Sequence, residues 1–137
     1  MNRRFTCIFL VVLVLAVALP RTAFADPTTG AVQSTLYFGL ELSDGGTVSE
    51  RDWTRFLAEV VTPRFPDGLT VVDAYGQWRD PALADAPIVR EATKIIIVVH
   101  SETPEAAVAL ADIKTEYMDR FGQKSVFHTE APLRIVE

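Results

Sequence analysis

The chain has 137 residues, with thirteen Lys and Arg against eighteen Asp and Glu, for a formal charge of −5. Its single cysteine, Cys7, leaves no disulfide framework, no cysteine-ligated zinc and no thiol nucleophile in the remainder of the chain. No basic cluster is present to draw in nucleic acid or anionic lipid, so neither is expected as a partner.

Arg3 and Arg4 precede an unbroken apolar run from Cys7 to Leu19, Pro20 breaks it, and Ala23-Phe24-Ala25 supplies a small-x-small cleavage pattern. The run has thirteen residues, short of the roughly 20 that span a bilayer. Residues 1–25 therefore read as a signal peptide cleaved after Ala25. The expected product is exported, to the periplasm or beyond, with no membrane attachment after cleavage. Losing Arg3, Arg4 and Arg21 leaves ten basic against eighteen acidic residues, a balance of −8. The small polar residues 26–33 read as a flexible leader, and 34–137 as a single domain.

Residues 34–42 alternate cleanly, with Leu36, Phe38, Leu40 and Leu42 on one side and Tyr37, Gly39 and Glu41 on the other, the pattern of a half-buried strand. Ser43-Asp44-Gly45-Gly46 is a turn. Ser49 with Asp52 three residues on opens a helix, and Trp53, Phe56, Leu57, Val60 and Val61 form its apolar stripe up to Pro63. After the turn Pro66-Asp67-Gly68, a second strand covers 69–79, and 80–87 is a loop. The third strand, 91–100, is apolar on both faces through Ile95-Ile96-Ile97-Val98-Val99, as suits a covered central strand. Thr103-Pro104-Glu105 starts a second helix carrying Leu110, Ile113, Tyr117 and Phe121, and Gly122 ends it. Residues 125–129 form the fourth strand, with a short tail after Pro132. The order β-α-β-β-α-β is ferredoxin-like: a four-stranded antiparallel sheet, both helices on one face, first and third strands central.

The other sheet face is then open. Alternation assigns to it Tyr37, Asp73, Tyr75, Gln77, Lys94, Ile96, Val98, His100 and His128, with Val72, Ala74, Trp78, Ile95, Ile97, Val99 and Phe127 turned to the core. A one-residue slip in any strand swaps its set. Ile96 and Val98 beside two tyrosines call for a cover, either a second copy of the chain, a small-molecule ligand or another protein. Tyr37 and His100 are the acid–base candidates, although a tyrosine hydroxyl satisfied by an imidazole is the simpler reading. Gly76-Gln77-Trp78-Arg79 offers Gln77 and Arg79 as polar anchors and Trp78 as a wall at a pocket mouth. Glu41 and Lys94 are expected to form a cross-strand ion pair. His100 at one end of the sheet and His128 on the far edge strand would meet at one metal, with Asp73 or Glu41 as a further ligand, only by a chance of geometry. No spaced ligand motif supports such a site, and neither metal nor cofactor is expected.

Leu36-Tyr37-Phe38-Gly39-Leu40, the run from Val60 to Thr70, Gly76-Gln77-Trp78-Arg79 and Phe121-Gly122-Gln123-Lys124-Ser125-Val126 together resemble the bacterial domain-of-unknown-function family 3574. Lys124 stands where an acidic residue is more usual. The resemblance covers essentially the whole chain after the leader. It implies a small protein of the cell envelope or the medium, and brings no activity, cofactor or catalytic residue with it. The leading expectation is a non-enzymatic binding or interaction module dimerising through the open sheet face. The alternative is a small enzyme with an acid–base pocket on that face, by analogy with dimeric α+β barrel proteins.

Overall fold

The structure, a computed structural model, describes residues 30–79 and 82–136. The expected signal peptide and its cleavage site lie outside the described residues. The elements are β1 (Ala31–Gly39), α1 (Glu50–Phe56) continuing into a π-helical turn (Leu57–Val61), β2 (Thr70–Trp78), β3 (Val89–Ser101), α2 (Pro104–Phe121) and β4 (Phe127–Leu133). The sheet is antiparallel, in the order β2-β3-β1-β4, so β1 and β3 are central as the ferredoxin-like pattern requires.

Strand bounds differ from the sequence reading at both ends of the chain. β1 begins at Ala31 rather than Ser34, because Ala31, Val32 and Gln33 pair with β3 and β4 on either side. β4 runs through Pro132, which lies opposite Val32. An edge strand tolerates a residue without an N–H.

Helix ends follow the local chemistry. Ser49 Oγ accepts from the Asp52 N–H at 3.2 Å and donates to Asp52 Oδ2 at 2.6 Å, capping α1. The helix then widens by one residue, with the Thr62 N–H bonded to the Leu57 carbonyl at 2.9 Å. That shift keeps Val60 and Val61 both in the core, at 4% and 0% exposure. In α2, Thr103 caps the N-terminus, Pro104 occupies the first turn, and Gly122 closes the C-terminus in the left-handed region at φ 63°.

The core lies between the helices and one sheet face. Phe38 packs edge-on to Trp53, Phe56 and Tyr117 with ring centroids 4.7 to 5.9 Å apart. Leu36, Ile96, Val98, Leu110 and Ile113 complete it. Among the described residues, no helix is long and apolar enough to cross a membrane.

Candidate functional site

Residues directly opposite across an antiparallel pair share a face, and the register corrects the sequence reading on three strands. Leu36 faces Ile96, Ser34 faces Val98, and Val32 faces His100. Ile96 and Val98 therefore belong to the helix side and are core residues at 1% exposure each. Asp73 lies opposite Lys94, Tyr75 opposite Ala92 and Gln77 opposite Arg90, which puts them on the same side. His128 joins that side opposite Leu36. The open face carries the alternate set: Tyr37, Val72, Ala74, Trp78, Ile95, Ile97, Val99 and Phe127. Of the expected outward residues, only those of β1 keep their face. The slip arises because β3 is apolar on both sides, so its alternation carries no sign of which side is buried.

The open face exposes apolar side chains, with Val72 at 39%, Val99 at 46%, Trp78 at 52% and Phe127 at 65%, interspersed with Gln33, Thr35, Thr70 and Thr129. At one end it sinks into a hollow of about 790 Å³. Two glycines make the depression. Gly39 of β1 pairs with Thr93, and Gly76 of β2 pairs with Glu91, so β3 is flanked on both sides by positions without side chains. A β-carbon at Gly39 would stand 2.7 Å from Glu91 Oε2, and one at Gly76 would stand 2.9 Å from Thr93 Oγ1. Trp78 walls the hollow on one side, and Tyr37 with Phe127, their centroids 5.3 Å apart, on the other. The rim is the turn between α2 and β4, from Gly122 to Ser125, held when Gln123 Nε2 donates to the Glu41 carbonyl at 2.6 Å.

The charge in this hollow is unbalanced. Burial, and then the neighbouring Glu41 carboxylate, push the Glu91 carboxyl above its ordinary value. No cation pairs with Glu41 or Glu91 among the described residues. Thr93 is nine-tenths buried, and its hydroxyl has no side-chain partner there. Beneath the sheet, the Tyr117 hydroxyl donates to the Gly39 carbonyl at 2.8 Å. Burial and Glu91 both push that phenol up, so it stays a donor.

The expected Tyr37–His100 pair does not form, since the two side chains lie on opposite faces. His100 Nδ1 donates to the Ser101 carbonyl at 2.8 Å, which leaves Nε2 to accept from the Ser34 hydroxyl at 2.8 Å. Ser34 is fully buried and His100 half-buried, and their bond joins β1 to β3. His128 and Glu130 lie beside it. Among the described residues, no group of three or more His, Cys, Asp or Glu could hold a metal. The expected Glu41–Lys94 pair is also replaced. Lys94, buried on the helix side, donates to Asp73 and meets Glu50 at 2.7 Å.

A family model described as "Protein of unknown function (DUF3574)" matches residues 33–136. The chain belongs to DUF3574. Among solved structures, this DUF3574 chain is similar to a phage SAM lyase in complex with S-methyl-5'-thioadenosine. The TM-score is 0.61 at 19% identity, over 79% of this chain and 85% of the other. The same phage lyase in its apo state gives a TM-score of 0.56, with the same identity and coverage. At that identity the likeness is one of fold. No match is found among the curated proteins.

Of the residues singled out from the sequence, Tyr37 and Trp78 line the hollow of this DUF3574 chain from the open face, and Gln77, on the helix side by register, borders it at the end of β2. Arg79 follows β2, exposed and outside the lining, and Asp73, Tyr75, His100 and His128 lie on the helix side. Glu91, Thr93 and the joint effect of the two glycines flanking β3 escaped the sequence reading. Glycine within the two strands that flank β3 is the signal that marks such a close approach.

Proposed function

We propose that this chain is an exported, non-enzymatic binding module that self-associates through its open sheet face, leaving the hollow as a ligand pocket beside the seam. The observation that carries this reading is the set of exposed apolar side chains on the open face, Val72, Val99, Trp78 and Phe127, around the half-buried Ile95 and Ile97. Water-facing apolar surface of this extent is covered in working proteins. Four strands, with β1 and β2 nine residues long, give a face of roughly 19 by 30 Å in projection, the same order as the ~800 Å² per partner of a stable interface. A twofold pairing places the same patch on both copies and closes without leaving a free edge of the contact. The phage SAM lyase, captured with a small molecule, supports the idea that this fold accommodates a ligand pocket.

Carbene footprinting at low and high protein concentration tests the reading. Val72, Val99, Trp78 and Phe127 become protected as concentration rises, while Tyr75, at 65% exposure on the helix side, stays labelled. Unchanged labelling of all five overturns it. The second reading, a small enzyme, rests on Glu91, whose raised carboxyl suits proton transfer. Turnover of a bound ligand, lost in Glu91→Gln, would favour it.

A further inference from the structure

We infer that the hollow between Gly39 and Gly76 recognises a compact organic cation of the alkylammonium class. This rests on the reading of the hollow as a ligand pocket. Two carboxylates, Glu41 and Glu91, line it, and neither is ion-paired among the described residues. The Glu41 charge disfavours ionisation of Glu91, and a positive ligand group removes that conflict. The walls are the aromatic rings of Tyr37, Trp78 and Phe127, whose faces attract a desolvated cation.

Other ligand classes fit less well. A metal ion wants a larger set of hard ligands than two carboxylates, and aromatic walls do not replace its water. An anion meets the Glu91 carboxylate at the floor and the exposed Glu41 beside it. A purely apolar ligand covers the Glu91 carboxylate and the Thr93 hydroxyl without compensation. Thr93 is placed to accept from an ammonium N–H or from a hydroxyl on the ligand, because Gly76 leaves its oxygen uncovered. The single basic residue among the lining, Lys124, is exposed on the rim turn.

The test is a titration of the isotope-labelled protein with choline, and separately with its neutral isostere 3,3-dimethylbutan-1-ol, at constant ionic strength. Choline is expected to shift the Gly39 and Gly76 amides and the Trp78 indole saturably, and to bind roughly tenfold tighter than the isostere. Glu91→Gln and Glu41→Gln, each checked for a folded spectrum, weaken choline about fivefold and leave the isostere unchanged. Equal binding of choline and isostere at these residues overturns the cation inference and leaves the pocket standing. Shifts confined to other residues, or no binding of either compound, overturn the inference and the pocket together.

Discussion

The carboxylate of Glu91 lies over the backbone of Gly39, 2.7 Å from the point where a β-carbon would stand. One strand's glycine thus makes room for the next strand's acid. Gly39→Ala adds a methyl group against the mobile end of a side chain, so the fold is retained and the carboxylate is displaced into the hollow. Thermal melting should fall by no more than a few degrees, while the choline response drops at least about tenfold.

Glu91 is held above its ordinary value of 4.5 by burial and by Glu41. Its contribution to stability is present below that value and is lost as pH rises through the folded-state value, so the ionised carboxylate is a cost at neutral pH. Glu91→Gln should therefore melt a few degrees higher than the parent at neutral pH. The gap should close as pH falls below the ordinary carboxylate range. A stabilising substitution that weakens ligand binding is the behaviour expected of a functional position. A pH series of melting curves checks it.

Lys94 is buried beside Phe38, and its two partners, Glu50 and Asp73, are exposed at 77% and 82%. Lys94→Ala removes the packed stem and should cost about 1–3 kcal/mol in denaturant unfolding. Lys94→Met keeps the stem and lets both carboxylates return to water, so its cost is about 1 kcal/mol or less. The bonds to Asp73 and Glu50 raise the Lys94 ammonium above its ordinary 10.5. Its ion-pair contribution is complete below that value, and the difference between parent and Lys94→Met narrows as pH rises through the folded-state value.

His128 is held below its ordinary 6.5 first by burial, then by Lys114, with His100 adding to the effect and Glu130 opposing it. Its Nε2 is buried without a hydrogen-bond partner, 3.5 Å from Glu130 Oε1. The neutral ring contributes stability above the ordinary value, and that contribution is lost as pH falls through the depressed one. The protein should lose stability in mildly acidic buffer, and His128→Gln should flatten that part of the profile. Urea midpoints across the range report it.

The helices and the element order were legible because their signals are local. Ser49 with Asp52, Thr103 with Pro104, and Gly122 each act within one turn of chain. β1 was legible because only its Leu36–Phe38 side is strongly apolar. β3 was not, because Ile95, Ile96, Ile97, Val98 and Val99 offer no polar side to mark water. Its facing is set by the pairing of Leu36 with Ile96, sixty positions apart in the chain. Trp78 misled for a related reason: an aromatic residue at a strand end reads as core, yet here it walls an open hollow. The hollow itself was hidden because its floor depends on Gly39 and Gly76 flanking β3, an adjacency that only the register creates.

Self-association through the open sheet face is tested most directly by sedimentation equilibrium of the protein and of Val99→Lys across a wide concentration range. The account predicts a reversible dimer for the parent and a monomer for Val99→Lys. A control with the same charge on α2, Val108→Lys at a position 60% exposed, should remain dimeric. A parent that sediments as a monomer at every concentration, or a Val99→Lys variant that dimerises as well as the parent, would contradict it.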